Sequence, residues 1–186
     1  MKLNKTWILP ALLVLALVQL AVPIGMIVRR ELTLREGKAF RFRTAPVDPY
    51  DAFRGKYVAL AIEPQSVAVK ESEKYVRGQP AYAVLAPGTN GFATVVRVEP
   101  RRPAVGDYIA VRAEYDVWAG GQLRLRWPFD RYYLNERDAP RAEQAYREHS
   151  RGGARDAYVQ VRVKNGFAVL EELYVGGKPV AEALKP

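Results

Sequence analysis

Apolar and polar residues alternate almost one by one through most of the chain beyond residue 30. This period of two is typical of half-buried antiparallel strands, whose successive side chains point to opposite faces of a sheet. The clearest runs are "YIAVRAEY", Tyr108 to Tyr115, and "YVQVRVKN", Tyr158 to Asn165. Further stretches rich in strand-forming residues are also predicted to be strands: Ala39–Arg43, Tyr57–Ile62, Ala81–Ala86, Gly91–Glu99, Gln122–Trp127 and Phe167–Tyr174.

Turn-forming residues and one helical window divide these runs. Asn165 and Gly166 stand between two alternating runs and predict a tight β-hairpin. The window "DAPRAEQAYREH", Asp138 to His149, lacks strand formers, carries Pro140 near its start and ends before two glycines, so it predicts a short amphipathic helix. The predicted fold class is therefore mainly β, an antiparallel β-sandwich or barrel-like domain with one short helix.

The beginning of the chain follows a different pattern. From Trp7 to Val28, "WILPALLVLALVQLAVPIGMIV" contains no charged residue. As a helix it would be about 33 Å long, enough to cross the hydrocarbon core of a bilayer. A cleavable secretory signal is the rival interpretation, since Lys2 and Lys5 give a basic start, but the apolar stretch is longer than in most signals and no A-x-A triplet follows it. We predict a tail and a single transmembrane helix over residues 1–30 and one β domain over residues 31–186.

Charge and cysteine content narrow the class of protein. The chain has 29 Lys and Arg against 20 Asp and Glu. Beyond residue 30, 25 Lys and Arg remain against the same 20 acidic residues, a balance near +5. The arginines are scattered through strand patterns without the spacing of a nucleic-acid-binding motif, so we predict attraction to anionic lipid headgroups and no nucleic-acid partner. The absence of cysteine excludes disulfides and thiol catalysis.

Motifs for metal or nucleophilic chemistry are lacking. His149 is the only histidine, has no partner at ligand spacing and is predicted to be an exposed helix residue. None of the serines, Ser66, Ser72 and Ser150, lies in a G-x-S-x-G sequence. The sequence therefore predicts no metal and no cofactor, and it assigns no catalytic residue.

Three separate stretches together resemble the GDYxxLxY family of bacterial membrane-anchored proteins. "DPYDAFRGKYVAL", Asp48 to Leu60, is similar to the family's motif shortly after an N-terminal transmembrane helix. "RYYLNE", Arg131 to Glu136, precedes a helix that contains Glu143, as in the family's aromatic segment. "NGFAVLEELYVGGKPV", Asn165 to Val180, is similar to the family's last hairpin.

The chain departs from the family motif at two positions, Lys56 and Ile62, where the motif has Asp and Tyr. The resemblance implies an extracytoplasmic domain and an integral-membrane partner. It therefore favours a single-pass protein of the inner, or cytoplasmic, membrane with its N-terminus inside and its C-terminal domain outside. Counting of basic residues favours the opposite orientation, because six of them follow the apolar stretch and only two precede it: Arg29, Arg30, Arg35, Lys38, Arg41 and Arg43 against Lys2 and Lys5.

The candidate binding residues lie in the first two of these stretches: Asp48, Asp51, Arg54, Tyr57, Arg131, Tyr132, Tyr133 and Glu136. In one interpretation Asp48 or Asp51 pairs with Arg54 and pins a compact loop. In the other, the three side chains bind an anionic or hydroxylated ligand. Aromatic residues suited to stacking on sugars are Trp118, Trp127, Tyr132 and Tyr133, although core packing accounts for Trp127 and one of the tyrosines more simply.

Two functions remain open at this point. The first is an interaction or accessory domain, anchored in the membrane, that acts with an integral-membrane partner or an anionic envelope polymer. The alternative is a glycan-binding protein or an envelope hydrolase that uses a pair of carboxylates held about 5–9 Å apart. The candidate carboxylates for that chemistry are Asp51, Asp107, Glu114, Asp116, Asp130 and Glu136.

Overall fold

The computed structural model of the chain describes residues 5–45, 57–69, 74–114, 121–150 and 155–185. Its helices are α1 (Lys5–Glu36), α2 (Ala139–Ser150) and α3 (Val180–Ala183). Its strands are β1 (Lys38–Ala45), β2 (Tyr57–Ala59), β3 (Ala61–Ile62), β4 (Ser66–Ala68), β5 (Pro80–Pro87), β6 (Ala93–Glu99), β7 (Asp107–Ala113), β8 (Gln122–Arg126), β9 (Arg131–Tyr133), β10 (Tyr158–Lys164), β11 (Phe167–Val175) and β12 (Lys178–Pro179).

The strands form two five-stranded sheets and one two-stranded ribbon. The first sheet has the order β12-β11-β10-β1-β3, the second the order β4-β8-β7-β5-β6, and the ribbon pairs β2 with β9. Neighbouring strands in these sheets are antiparallel. Within the described ranges neither sheet closes into a barrel. The predicted mainly β, antiparallel fold is confirmed.

The two sheets share one hydrophobic core, which the alternating residues fill. Phe42 of β1 is fully buried, and its ring centroid lies 5.2 Å from that of Trp127 and 5.6 Å from that of Phe129. Ile109 of β7 and Leu173 of β11 are also fully buried. Because β7 and β11 belong to different sheets, the period-two pattern of each supplies one wall of the same core.

Most predicted strands are confirmed, and the differences have local causes. The predicted strand Tyr57–Ile62 is two strands, because β2 pairs with β9 while β3 pairs with β1. The chain changes partner at Leu60, whose N–H donates to the Asp130 carbonyl at 2.9 Å. Four short elements of two to four residues each were not predicted: β4, β9, β12 and α3.

The predicted Asn165–Gly166 hairpin is confirmed and lies where the two sheets meet. Both residues have positive φ, 51° for Asn165 and 81° for Gly166, as a tight turn between β10 and β11 requires. The Ala110 N–H of β7 donates to the Gly166 carbonyl at 2.9 Å. The ring of Tyr108 lies directly over Gly166, so close that a Cβ at residue 166 would be 2.4 Å from the ring.

Helix α1 has 32 residues and continues past the predicted boundary at residue 30, to Glu36. Its apolar side chains between Leu9 and Val28 are exposed rather than packed on the β domain. By length and composition it is able to span a membrane. The prediction of one such N-terminal helix is confirmed.

The end of α1 packs against the β10–β11 hairpin. Arg29 lies over the Phe167 ring, 4.2 Å from its centroid, next to the hairpin turn. Further along the helix, Thr33 is buried, and the Gly37 carbonyl accepts from Arg162 at 3.3 Å. We call this contact, between residues 29–37 and residues 162–167, the anchor junction. Residues nearer the end of α1 contact hairpin residues that lie farther from the turn. The hairpin therefore extends away from the apolar part of α1.

Candidate functional site

A groove of about 790 Å³ opens beside the anchor junction. Four arginines from three separate parts of the chain line it, and we call it the arginine groove: Arg29, Arg30, Arg102 and Arg131. Aromatic rings cover much of the remaining wall: Tyr82, Tyr108, Phe129, Tyr132, Tyr133 and Phe167. The site thus combines positive charge with flat apolar surface.

The groove arginines come from one helix, one loop and one strand. Arg29 and Arg30 lie in the last turns of α1. Arg102 comes from the loop before β7 and donates to the Tyr108 hydroxyl, whose ring is buried under the same groove. Arg131 begins β9. The groove therefore forms only when the helix, the second sheet and the β2–β9 ribbon meet at the hairpin turn.

The groove carries an excess of positive charge. Among its described lining residues Glu171 is the one carboxylate. It accepts from Arg162 at 2.7 and 3.1 Å and from Gln160 at 2.9 Å. The Arg162 hydrogen bonds lower the pKa of Glu171 below its ordinary value, so the carboxylate is ionised and already neutralised. Arg131 lies 3.8 Å from Asp130, and the four groove arginines still outnumber the carboxylates beside them.

Four of the predicted binding residues meet on the β2–β9 ribbon. Tyr57 is paired with Tyr133, and their ring centroids are 5.7 Å apart. The Arg131 guanidinium lies 4.9 Å from the centroid of the Tyr57 ring. The side-chain hydrogen bond with Tyr133, and then the charge of Asp130, raise the pKa of Arg131 above its ordinary value. This ribbon presents a permanent cation between two tyrosines.

Tyr132 faces the interior and joins the ribbon to the first sheet. Its hydroxyl donates to Glu172 Oε1 at 2.6 Å, and the residue is half-buried. Burial, followed by the hydrogen bond with Glu172, raises the pKa of Tyr132 well above the ordinary tyrosine value. The hydroxyl therefore stays protonated at physiological pH, and its role in this position is to hold β9 against β11.

The other predicted binding residues are not brought into the groove. Asp48, Asp51 and Arg54 lie outside the described residues. Glu136 is exposed in the turn between β9 and α2, and it is not among the residues that line the groove. The prediction of a single cluster that joins the motif loop to "RYYLNE" therefore stays a prediction.

Sequence reasoning did not identify three of the groove arginines. Arg29 and Arg30 entered only the count of basic residues, and Arg102 lies in a loop without a recognised motif. The sequence does contain two pairs of adjacent arginines that could have indicated this site. Arg29 and Arg30 follow the apolar stretch directly, and Arg101 and Arg102 precede a strand.

Two further sequence predictions have clear outcomes. Trp127 is buried in the core, where its indole N–H donates to the Pro64 carbonyl at 3.3 Å, so it is not a sugar platform. His149 was predicted to be exposed, but it is half-exposed and bonded to Asp156 at 2.7 Å. Within the described ranges no group of three or more His, Asp or Glu residues is placed to hold a metal ion.

Comparison with known proteins gives one match. The family model described as "GDYXXLXY protein" matches residues 19–173, from the middle of α1 to the end of β11. No curated protein and no solved structure matches the chain. The matched segment includes both the anchor junction and the arginine groove.

Proposed function

The chain belongs to the GDYXXLXY family, and from this membership and the anchor junction we propose that it is a membrane-anchored accessory domain. It acts by interaction, with an integral-membrane protein or an anionic envelope polymer as its partner. The anchor keeps the β domain at the membrane surface, which raises its local concentration near such a partner. No reaction is assigned to it.

The anchor junction is the observation that carries this proposal. Thr33 is 2% exposed, and Glu36 pairs with Lys164, so the last turns of α1 belong to the folded β domain. A segment removed by signal cleavage has no reason to pack on the mature domain, which favours a retained anchor. With α1 in a bilayer, the β domain would have a defined orientation at the surface instead of hanging on a flexible linker.

The same junction bears on membrane orientation. Arg29 packs on Phe167, and Arg30 lines the groove, so both have structural positions and are not only flanking charges. The counting of basic residues also carries less weight for this chain, because long folded domains translocate largely regardless of flanking charge. We propose that the protein is a single-pass protein of the cytoplasmic membrane, with its N-terminus inside and its β domain outside, as the family resemblance implies.

Three of the six candidate carboxylates are held beside cations, which favours interaction over the hydrolase alternative, whereas Asp51 and Asp116 lie outside the described residues. Asp107 accepts from Lys38 at 2.5 Å, and Glu114 pairs with Arg124 at 2.7 Å. Asp130 lies beside Arg131 at 3.8 Å. Each of these three carboxylates lies against a cation on a strand or next to one, whereas a pair of catalytic carboxylates faces a substrate across a cleft. The glycan-binding alternative retains exposed Tyr133 as its best-placed ring.

Site-specific photo-crosslinking in native membranes tests the proposed function. The crosslinking residue replaces Leu17, which is exposed within the apolar part of α1, or Tyr133, which is exposed at the groove. We expect at least one of these positions to give a discrete adduct with one multi-spanning membrane protein, identified by mass spectrometry.

A matched control places the same residue at Lys178, which is exposed at the start of β12. We expect no such adduct there. Adducts only with lipid or with a second copy of the chain, at both test positions, would contradict an integral-membrane partner.

A further inference from the structure

We infer that the arginine groove binds the phosphate group of an anionic membrane lipid. This inference rests on the membrane-surface placement in the proposed function, and it adds a ligand class and a site to it. The occupant is a lipid headgroup of the bilayer in which α1 is anchored.

The chemistry of the groove suits a phosphate ester. Guanidinium groups match phosphate oxygens with two parallel N–H donors. Four arginines line this groove, and its carboxylate Glu171 is paired with Arg162. Arg30 has no ion pair or hydrogen bond among the described residues, so its donors are unused. Aromatic and apolar side chains beside these donors offer contact surface to the glycerol and first methylene groups of a lipid.

The groove lies at the right depth. The uncharged stretch ends at Val28, and Arg29 and Arg30 are the next two residues, which places them at the boundary between hydrocarbon and headgroups when about 20 apolar residues span the core. Arg29 contacts Phe167 at the hairpin turn, so that turn is at the same level. A phosphate of the facing leaflet would need no displacement from the bilayer to enter the groove.

The loop before β7 supports this placement independently of α1. Val105 in this loop is 82% exposed, the largest exposure among the exposed large apolar side chains of the described chain. Its neighbour Asp107 bonds to Lys38, directly after α1, at 2.5 Å, which brings the loop to the membrane end of the domain. Arg101 is also exposed there, and Arg102 enters the groove. At that end of the domain the arginines would be attracted to anionic headgroups, and Val105 would be able to contact the layer beneath them.

Native mass spectrometry of the full chain in a neutral detergent tests the inference with defined probes. Phosphatidylglycerol, phosphatidylcholine and inorganic phosphate are added separately at matched concentrations. We expect bound phosphatidylglycerol on the unmodified chain, at least tenfold less bound phosphatidylcholine and no retained inorganic phosphate, because anchoring in the groove needs both the charge and the glycerol contacts.

Two variants locate the binding. Arg102→Ala with Arg131→Ala should weaken phosphatidylglycerol binding about 10- to 100-fold, since two charge-assisted contacts are lost. Arg30→Ala should weaken phosphatidylglycerol binding several-fold, and it removes no hydrogen bond or ion pair within the described residues. It therefore remains informative if the double variant folds poorly by near-ultraviolet circular dichroism. Lys178→Ala with Lys185→Ala removes the same charge from an exposed distal surface and should leave binding unchanged.

Several results would overturn the inference. One is that the unmodified chain retains phosphatidylcholine or inorganic phosphate as well as it retains phosphatidylglycerol. Another is that the groove variants and the lysine control variant lose phosphatidylglycerol to the same extent. A third is that Arg30→Ala and the double variant both bind phosphatidylglycerol as the unmodified chain does. If the groove variants lose the protein adduct at residue 133 but keep phosphatidylglycerol, the groove instead binds a protein partner. The mass spectrometry uses purified protein in detergent, and the crosslinking uses native membranes. Lipid binding can therefore be absent when a protein partner is found, and lipid binding can be present when no partner is found.

Discussion

Replacing Gly166 by alanine should destabilise the β domain by about 2–5 kcal/mol, the largest loss that we expect from a single added methyl group. Gly166 has φ +81°, where an L-residue costs about 1–2 kcal/mol. In addition, its new Cβ would be 2.4 Å from Tyr108 Cε2, and Tyr108 is buried and bonded to Arg102. The ring cannot move without opening the contact between β7 and the hairpin turn. Denaturant unfolding of the full chain, followed by near-ultraviolet circular dichroism, measures the loss.

Gly177→Ala is the matched control for that variant. Gly177 has φ +76°, but a Cβ there meets no atom within 4 Å. Gly177→Ala should therefore lower the free energy of unfolding only by the cost of a positive φ, about 1–2 kcal/mol. Equal losses in the two variants would mean that Tyr108 does not pack on the turn, and that the sheets are not joined there as described.

Gly37→Ala should loosen the anchor junction. A Cβ at residue 37 would be 2.3 Å from the Thr33 carbonyl oxygen and 3.2 Å from the Val163 backbone nitrogen, so the clash is with main chain that cannot rotate away. We expect a cost of about 1–3 kcal/mol to the junction, which corresponds to about 5- to 150-fold faster tryptic cleavage at Arg35 and Lys38 if cleavage follows local opening. Timed proteolysis in nanodiscs measures the change.

Gly25→Ala tests whether that effect is specific to the junction. Gly25 lies in the same helix, and a Cβ there meets nothing within 4 Å. Alanine also favours helix, so cleavage at the junction should remain at the rate of the unmodified chain or fall slightly. Equal acceleration in both variants would indicate that α1 does not pack on the hairpin.

The fold could be predicted from the sequence where its cause is local. Alternation determines which residues of β7 and β10 face the core, and Asn165–Gly166 determines the turn, because each pattern needs only neighbouring residues. The division of the Tyr57–Ile62 run could not be predicted in the same way. It depends on which partner strand is nearest on either side of Leu60, and the chain supplies those partners far away in sequence.

The candidate site was less predictable for the same physical reason. Arg29, Arg102 and Arg131 are separated by many residues and meet only through the anchor junction and the hydrogen bond from Ala110 to Gly166. The ribbon residues were within reach because Arg131, Tyr132 and Tyr133 are consecutive. Because side chains alternate along a strand, Tyr132 faces the interior and Tyr133 faces solvent. The motif alone does not distinguish the two tyrosines.

The adjacent pair Glu171 and Glu172 shows a further limit. A register shift between Gln160 and Val161 places an extra residue in β11. Glu171 consequently bonds to Arg162, whereas Glu172 accepts from Tyr132 on the ribbon. Strict alternation would assign the two carboxylates to opposite faces without indicating either partner, because a β-bulge leaves no clear sequence signal here.

We propose that the β domain rests on the membrane with the arginine groove facing the headgroups. This placement can be tested by the depth of two single cysteines, since the natural chain has none. Val105→Cys lies beside the groove, and Lys178→Cys lies beyond the far end of β11, which at about 3.4 Å per residue is about 27 Å from Phe167 along the strand. Both residues are exposed and accept a spin label without disturbing the core.

The decisive measurement is the broadening of each label's spectrum by a paramagnetic ion chelated to lipid headgroups, with the full chain in nanodiscs. The label at residue 105 should be strongly broadened, and the label at residue 178 should be close to its spectrum without the ion. Equal broadening at the two positions, or stronger broadening at residue 178, would contradict the placement of the groove at the membrane surface.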